Sequence, residues 1–273
     1  MNTILVLTDF SEEAANAARF AVAVAGKLSA HKIILYHPFA LSVTASPTDA
    51  SSYEVATEDT NAHLIALKNE LIYSFPGHIQ IETCSDNRPL AEAIDALQEQ
   101  VDLIVIGATV KGDLEEDLFG GNTMTVVSHC AKPLLVVPKD VRYHLIKNVL
   151  LACDLKEVLQ TVPVQFIKSF TNALDAKLFI LNVDYKEKHF RAETILEQTD
   201  LHKVFDNENA EFHYIDSENT ANGILTFAAA HEIQLLITVR KERGLLGEIF
   251  HKSVSKKLIF DTGIPLLVLK ETD

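Results

Sequence analysis

The segment between residues 107 and 123 has the residue types of a phosphate-binding loop. It leaves a predicted strand at Gly107 and enters a predicted helix through four small residues, Gly120, Gly121, Asn122 and Thr123. Glycines between a strand and a helix let backbone N–H groups approach phosphate oxygens, and the helix N-terminus favours negative charge. The alternative is a tight turn before a helix that Asn122 or Thr123 caps. Both interpretations stay open at this point.

Two aspartates and a histidine directly follow predicted strands. Asp9 and Asp154 each come directly after the first strand-like run of their half, 145 residues apart, and His37 follows the second run. Side chains at the carboxyl ends of parallel strands are the ones that meet a ligand. The alternatives are that each aspartate caps the helix behind it, and that His37 has no role.

The sequence contains no recognisable catalytic or metal-binding set. A G-x-S-x-G elbow is absent, the histidines show neither H-x-H nor H-E-x-x-H spacing, and the cysteines are widely spaced at Cys84, Cys130 and Cys153. Asp154 would raise the pKa of the adjacent Cys153, which indicates a structural thiol. We therefore expect a protein that is not an enzyme, without catalytic residues and without a metal.

The elements that must position these residues are short apolar strands alternating with helices. In the first half the predicted strands are residues 3–8, 32–36, 79–84, 103–106 and 134–137. Continuous apolar strands that alternate with helices are typical of a mainly parallel sheet covered by helices on both faces. The predicted fold class is therefore α/β.

The second half repeats this pattern. Its predicted strands are residues 148–152, 177–183, 210–215, 234–238 and 266–269, and Pro265-Leu-Leu-Val repeats Pro133-Leu-Leu-Val. The matched aspartates and the matched ending favour a duplication over two unrelated α/β domains. The predicted domains are residues 1–139 and 147–273, joined by a linker at about residues 138–146.

Composition excludes several classes of protein. The 273 residues are 48% hydrophobic and carry a formal charge of −14, while the apolar runs are far too short for a membrane span. So acidic a chain is a poor binder of nucleic-acid backbones, and few cysteines fit a reducing compartment. We expect a cytoplasmic protein without nucleic-acid or membrane partners. Residues 1–139 have a net charge of −10 and residues 140–273 one of −4.

The whole chain resembles a tandem universal stress protein (UspA-like). The resemblance rests on Val6-Leu-Thr-Asp-Phe-Ser11 with its Ala-rich helix, on Val105-Ile-Gly107, on Gly120-Gly-Asn-Thr123 and on the two Pro-Leu-Leu-Val runs. Nucleotide-binding members of that family have G-x2-G-x9-G-[S/T] after the fourth strand. Gly107 and Gly120 match its first and third glycines, whereas Val110 and Gly121 replace the second glycine and the Ser/Thr.

The resemblance implies two Rossmann-like domains (adenine nucleotide alpha hydrolase-like), each with five strands. It implies ATP with Mg²⁺, or another adenine nucleotide, as a regulatory ligand of the first domain, with very slow hydrolysis at most. Asp9 would contact the nucleoside, and the phosphates would meet Gly107, Gly120, Gly121, Asn122 and Thr123. The alternative is a nucleotide-free interaction protein in which these sites are relics.

The second domain departs further from the family motif. Thr238, Lys241 and His251 stand at the positions of the three glycines, so no nucleotide is expected there, although Asp154 remains. The basic segment at residues 240–257 is either a partner site or a solvated helix face. In the family the fifth strands pair antiparallel across a dimer interface. The resemblance therefore implies that strands 134–137 and 266–269 pair within one chain as a pseudo-dimer, and whether two chains associate further stays open.

Overall fold

The main elements of the structure are parallel strands. The computed structural model describes residues 1–38, 50–75, 77, 79–108, 126–127, 129–184, 192–206, 209–241, 258 and 263–272. The chain divides into two units, Met1–Tyr143 and His144–Asp273. None of the helices within these described ranges is long and apolar enough to cross a membrane.

The first unit has the strand order β3-β2-β1-β4-β5, and each of these neighbouring strands is parallel to the next. Its strands are β1 (Thr3–Leu7), β2 (Lys32–Pro38), β3 (Gln80–Asp86), β4 (Leu103–Ala108) and β5 (Leu134–Pro138). Its helices are α1 (Glu12–Ala25), α2 (Ala50–Ser74) and α3 (Leu90–Leu97), followed by a 3-10 turn at Gln98–Gln100. Since β2 and β4 lie on opposite sides of β1, the strand order reverses there and opens a crevice at its carboxyl end.

The second unit repeats this order as β10-β9-β6-β7-β8. Its strands are β6 (Asn148–Ala152), β7 (Lys177–Asp184), β8 (Ala210–Asp216), β9 (Leu235–Arg240) and β10 (Leu266–Lys270). Its helices are α4 (Val158–Thr161), α5 (Val164–Leu174), α6 (Ala192–Val204) and α7 (Thr220–Ala230). The predicted α/β fold class, with Rossmann-like units, is confirmed.

The core of each unit is its central strands. All six residues of β4 are buried, and so are the last four of β1 and of β6. A strand that is buried on both faces has no polar alternation, because each face of the sheet is covered. This is why the continuous apolar runs predicted the strands correctly.

The first helix differs between the two units. In the first unit α1 is one Ala-rich helix, and the Ser11 hydroxyl accepts a hydrogen bond from the Ala14 N–H at 3.2 Å as its N-cap. In the second unit Pro163 separates α4 from α5, because proline lacks an N–H and cannot continue a helix. The Thr272 hydroxyl donates to the freed carbonyl of Gln160, so the end of the chain satisfies part of this break.

Candidate functional site

Asp9 lies at the carboxyl end of β1, in a turn that Ser11 holds. The Ser11 N–H donates to Asp9 Oδ1 at 3.0 Å, and the Ser11 hydroxyl donates to the same oxygen. Ser11 is thus the residue that caps α1, while Asp9 orients Ser11. Asp9 is exposed, and its Oδ2 has no hydrogen-bond partner among the described residues. One carboxylate oxygen is therefore engaged by Ser11, next to the crevice at the end of β1.

The backbone at this turn is strained in both units. Phe10 has φ of 63° and its counterpart Leu155 has φ of 53°, in the left-handed region that residues with a Cβ seldom adopt. The two residues lie 145 positions apart, the spacing of Asp9 and Asp154. Such strain persists only where the surroundings enforce it. The duplication has therefore preserved an unfavourable backbone conformation immediately after both aspartates.

Gly107, at the end of β4, is required by the packing of α1. A Cβ at this position would lie 2.5 Å from the carbonyl oxygen of Glu13 and 2.9 Å from the nitrogen of Ala14. No side chain fits against a backbone that close. Gly107 thus brings the first turn of α1 against the carboxyl end of β4, and this close contact accounts for the glycine whether or not a phosphate binds.

The remaining residues of the predicted loop lie outside the described residues. This holds for Gly120, Gly121, Asn122 and Thr123, and also for Val110. Of the predicted site, the structure therefore places Asp9 and Gly107 at the carboxyl ends of the neighbouring strands β1 and β4.

Three rings meet beside Asp9. The ring centroid of Phe10 lies 4.4 Å from that of His37 at the end of β2 and 5.1 Å from that of His63 on α2. His37 Nδ1 is 2.7 Å from the carbonyl oxygen of Thr8, and His63 Nδ1 is 2.9 Å from that of Asp59. Sequence reasoning found His37 from its place after a strand. It missed His63, because no local pattern shows which residue of a long helix faces the end of a strand.

An ion pair at the end of β3 completes this edge of the sheet. The buried Tyr36 hydroxyl donates to Asp86 Oδ1 at 2.7 Å, and Arg88 Nε donates to Asp86 Oδ2 at 2.9 Å. Burial opposes the charge of Asp86, but the hydrogen bonds from Arg88 and Tyr36 outweigh burial and hold the pKa of Asp86 below its ordinary value. Burial, followed by the bond to Asp86, raises the pKa of Tyr36. Both groups are structural at neutral pH, and the sequence alone did not indicate them.

The second unit has an internal ion pair in the matching place. Lys241 Nζ lies 2.7 Å from Asp154 Oδ1 and 2.7 Å from the carbonyl oxygen of Lys156. The Lys241 and Asp154 side chains are only 15% and 17% exposed. The carboxylate that matches Asp9 therefore already has a cation of its own chain as its partner.

The strand register corrects one assignment. Val6 pairs with Val105 and Leu151 pairs with Ile237, so the counterpart of Gly107 is Val239 and not Thr238. The error was one residue and arose because the glycine motif was aligned without the strand pairing that sets the register. The second unit lacks a glycine here under either alignment.

Cys153 is a buried thiol. Burial raises its pKa to about 12, and the neighbouring Asp154 acts in the same direction with a smaller effect. The predicted direction is correct, whereas its main cause is burial. Within the described ranges, no group of three or more His, Cys, Asp or Glu residues is placed to hold a metal ion.

The fold belongs to the class of Rossmann-like α/β proteins, which have a crevice where the strand order reverses. The model of the universal stress protein family matches residues 1–138. The chain therefore belongs to the universal stress protein family. No curated protein matches the chain significantly.

Some of the similar solved structures extend over both units, and others match only part of the chain. A universal stress protein from Archaeoglobus fulgidus DSM 4304 is similar with a TM-score of 0.77 at 16% identity, over 98% of each chain. A protein from Pseudomonas aeruginosa UCBPP-PA14, described as a putative universal stress protein, is similar with a TM-score of 0.63 at 15% identity, over 99% of this chain and 94% of that chain. A universal stress protein in complex with cAMP aligns with 50% of this chain and 96% of its own, at 19% identity and a TM-score of 0.38.

Proposed function

We propose that this protein is a cytosolic stress-response factor whose first domain binds an adenine nucleotide, such as ATP with Mg²⁺, as a regulatory ligand. The second domain binds none, and the protein performs no fast catalysis. The observation that carries the proposal is the difference between the two matched aspartates. Asp9 has one carboxylate oxygen without a partner in the described residues, while Asp154 is paired with Lys241.

The residues of the first unit fit a nucleoside next to Asp9. Its Oδ2 is an acceptor for ribose hydroxyl groups, and the Ser11 bonds already fix the orientation of the carboxylate. Such preorganisation lowers the entropy lost on binding. The phosphate groups of the nucleotide would meet Gly107 and the other glycines of the family motif. Binding itself is then the signal.

A nucleotide-free interaction protein is the second candidate function. It is favoured by Gly107, whose presence the packing of α1 explains fully. If Gly107 is retained for packing alone, it carries no information about phosphate binding. In that case the surfaces of the protein recruit partners, and nucleotides do not bind up to millimolar concentration.

Calorimetry of the full chain with ATP, ADP and cAMP, each with Mg²⁺, separates the two functions. We expect one nucleotide per chain, and a matched pair of variants assigns it to a domain. Asp9→Asn keeps the acceptor for Ser11 but removes the charge, and it should weaken binding about tenfold or more. Asp154→Asn should leave the affinity unchanged. Two bound nucleotides, or a loss of binding in Asp154→Asn alone, would refute the assignment, and no binding at all would favour the interaction protein.

A further inference from the structure

A lysine lies at the carboxyl end of β5, next to the strand whose end would meet the phosphate groups of a nucleotide. Ala108, the last residue of β4, pairs with Pro138, the last residue of β5, and Lys139 follows directly. The Lys139 Nζ atom is 3.1 Å from Glu13 Oε1, and the lysine side chain is 55% exposed. Lys139 therefore stands beside the point at which the chain leaves β4 for the segment that contains the family glycines.

Glu13 connects this lysine to Gly107. The carbonyl oxygen of Glu13 lies 2.5 Å from the position that a Cβ of Gly107 would take, and the carboxylate of the same residue binds Lys139. A lysine side chain is long and flexible, with three donors on its ammonium group. An ammonium group held at Glu13 thus needs only rotation of its own side chain to reach a phosphate beside Gly107.

The carboxylate of Glu13 is stable without this lysine. Glu13 lies in the first turn of α1, where backbone N–H groups and the helix dipole favour a negative charge. A hydrogen bond from its own backbone N–H lowers the pKa of Glu13 most, and the bond from Lys139 adds to this effect against burial. Glu13 in turn raises the pKa of Lys139, with a smaller effect from the adjacent Asp140. Lys139 can therefore leave Glu13 without making that carboxylate take up a proton.

Cations are scarce in the first domain. Residues 1–139 contain eight basic residues and 18 acidic ones. Among the described cations, Arg19, Lys32 and Arg88 are paired with carboxylates on α1, α2 and β3. Lys139 lies instead at the carboxyl ends of β4 and β5. An anionic ligand of so acidic a domain gains most from a cation at the edge where its own charge lies.

The second unit carries the opposite charge in this place. Lys139 lies two residues beyond the β5 partner of Gly107, and Glu271 lies two residues beyond the β10 partner of Val239, so the two match. A carboxylate at this position repels phosphate groups. The lysine of the second unit is Lys241, directly after β9, and it binds the matching aspartate instead. The two units therefore differ in the position of their cation as well as in its partner.

We infer that Lys139 binds the phosphate groups of the nucleotide, exchanging Glu13 for them, and so makes the first domain select nucleotides over nucleosides. This rests on the proposed binding of a nucleotide next to Asp9. The exchange replaces one charge-assisted hydrogen bond by another, so the ammonium group keeps a partner throughout. The exchange favours the nucleotide because a phosphate chain carries more negative charge than one carboxylate. Lys139 is thus a specificity-determining residue, and Glu13 competes with the ligand for it.

The experiment is calorimetry of the full chain with adenosine, and with ADP and ATP in the presence of Mg²⁺. Wild type should bind ATP more tightly than adenosine. Lys139→Gln should weaken ATP binding about tenfold, ADP binding less, and adenosine binding not at all, because only the phosphates meet the lysine. Glu13→Gln should strengthen ATP binding about threefold, since glutamine keeps an acceptor for its own N–H but competes less for Lys139. Lys27→Gln, beyond the far end of α1, is the control with the same change of charge and should leave every affinity unchanged.

Adenosine serves as the internal control for folding, because a misfolded variant loses adenosine binding and ATP binding together. A wild type without preference for ATP, an equal effect of Lys139→Gln on both ligands, or no effect on either overturns the inference and leaves the proposed function standing. Weaker ATP binding by Glu13→Gln does the same. A wild-type chain that binds neither adenosine nor a nucleotide overturns both.

Discussion

The turns that follow β1 and β6 share a backbone conformation, but their aspartates have different partners. Both turns have an aspartate followed by a residue with positive φ, and both are attached to the next strand through a polar side chain, His37 in one and Asn182 in the other. The first turn has an exposed aspartate, while the second has Asp154 bound to Lys241. A duplicated backbone therefore does not imply duplicated side-chain contacts, because a single lysine side chain gives the second aspartate a different partner.

The largest expected effect tests the packing of α1. Gly107→Val introduces the residue of the second unit, Val239, and its Cβ would meet the backbone of Glu13 at 2.5 Å. We expect the first domain to lose about 3 kcal/mol of unfolding free energy, because backbone cannot move aside as a side chain can. Urea unfolding of the full chain measures the loss.

Gly26→Ala is the matched control for this substitution. Gly26 ends α1 with φ of −61°, and a Cβ there has no atom within 4 Å. Alanine at this site should stabilise by about 0.5 kcal/mol through the entropy of the unfolded chain. If Gly107→Val unfolds like wild type, α1 does not approach β4 as closely as the structure shows.

The second prediction breaks the ion pair that distinguishes the second unit. Lys241→Met leaves a largely buried Asp154 without its cation, so we expect a loss of about 2 kcal/mol in the second domain. Adding Asp154→Asn should cost less than the sum of the two single losses, since the pair is already broken. Additive losses in this double-mutant cycle would show that the contact contributes nothing.

A third prediction concerns acid. The pKa of Asp86 is lower in the folded state than in the unfolded chain. The charged carboxylate therefore stabilises the fold fully at pH values above the ordinary carboxyl pKa of about 4, and this stabilisation is lost as the pH falls through the folded pKa. Asp86→Asn should cost about 1 kcal/mol at pH 7, and this difference should shrink in acid. Arg88→Met should likewise be less stable than wild type at pH 7 and lose less stability in acid, because the folded pKa of Asp86 then moves back toward its ordinary value. The matching residue of the second unit is Ile215, which cannot titrate. Denaturation curves from about pH 7 to about pH 3 test both variants. A constant difference would contradict the role of the carboxylate.

The smallest effects are expected at the N-termini of the two matching helices, α1 and α4. Ser11→Ala removes the N-cap of α1 and should cost about 0.5–1 kcal/mol. In the second unit the Glu197 carboxylate accepts the Val158 N–H at 2.8 Å instead, so Glu197→Ala should have a similar effect on that domain alone. Thermal unfolding measures both, and equal stability of Ser11→Ala and wild type would show that the cap is dispensable.

Much of the fold was predictable because its signals are local. Buried parallel strands read as continuous apolar runs, and the capped Ala-rich run predicted α1. The break of the matching helix also has a local signal, because Pro163 cannot continue a helix. The pairing of the two fifth strands stays a prediction, as do the roles of Gly120 to Thr123.

The candidate site was predictable only in part. Asp9 and His37 follow from their places after strands, which topology brings to one edge. Gly107 was predicted as a phosphate-binding glycine. The structure shows a different reason for it, because the backbone of Glu13 packs where a Cβ would lie. His63 had no local signal, since its contact with Phe10 depends on how α2 crosses the sheet.

By itself the sequence determined the repeated α/β pattern, the strands and the matched aspartates, because these depend on local propensity and hydrophobic periodicity. The tertiary structure alone decided that Asp154 has a lysine as its partner. Lys241 is 87 residues from Asp154 along the chain, and only the parallel pairing of β6 with β9 brings its ammonium group within 2.7 Å. Contacts between distant segments depend on register and side-chain direction, which no local pattern encodes.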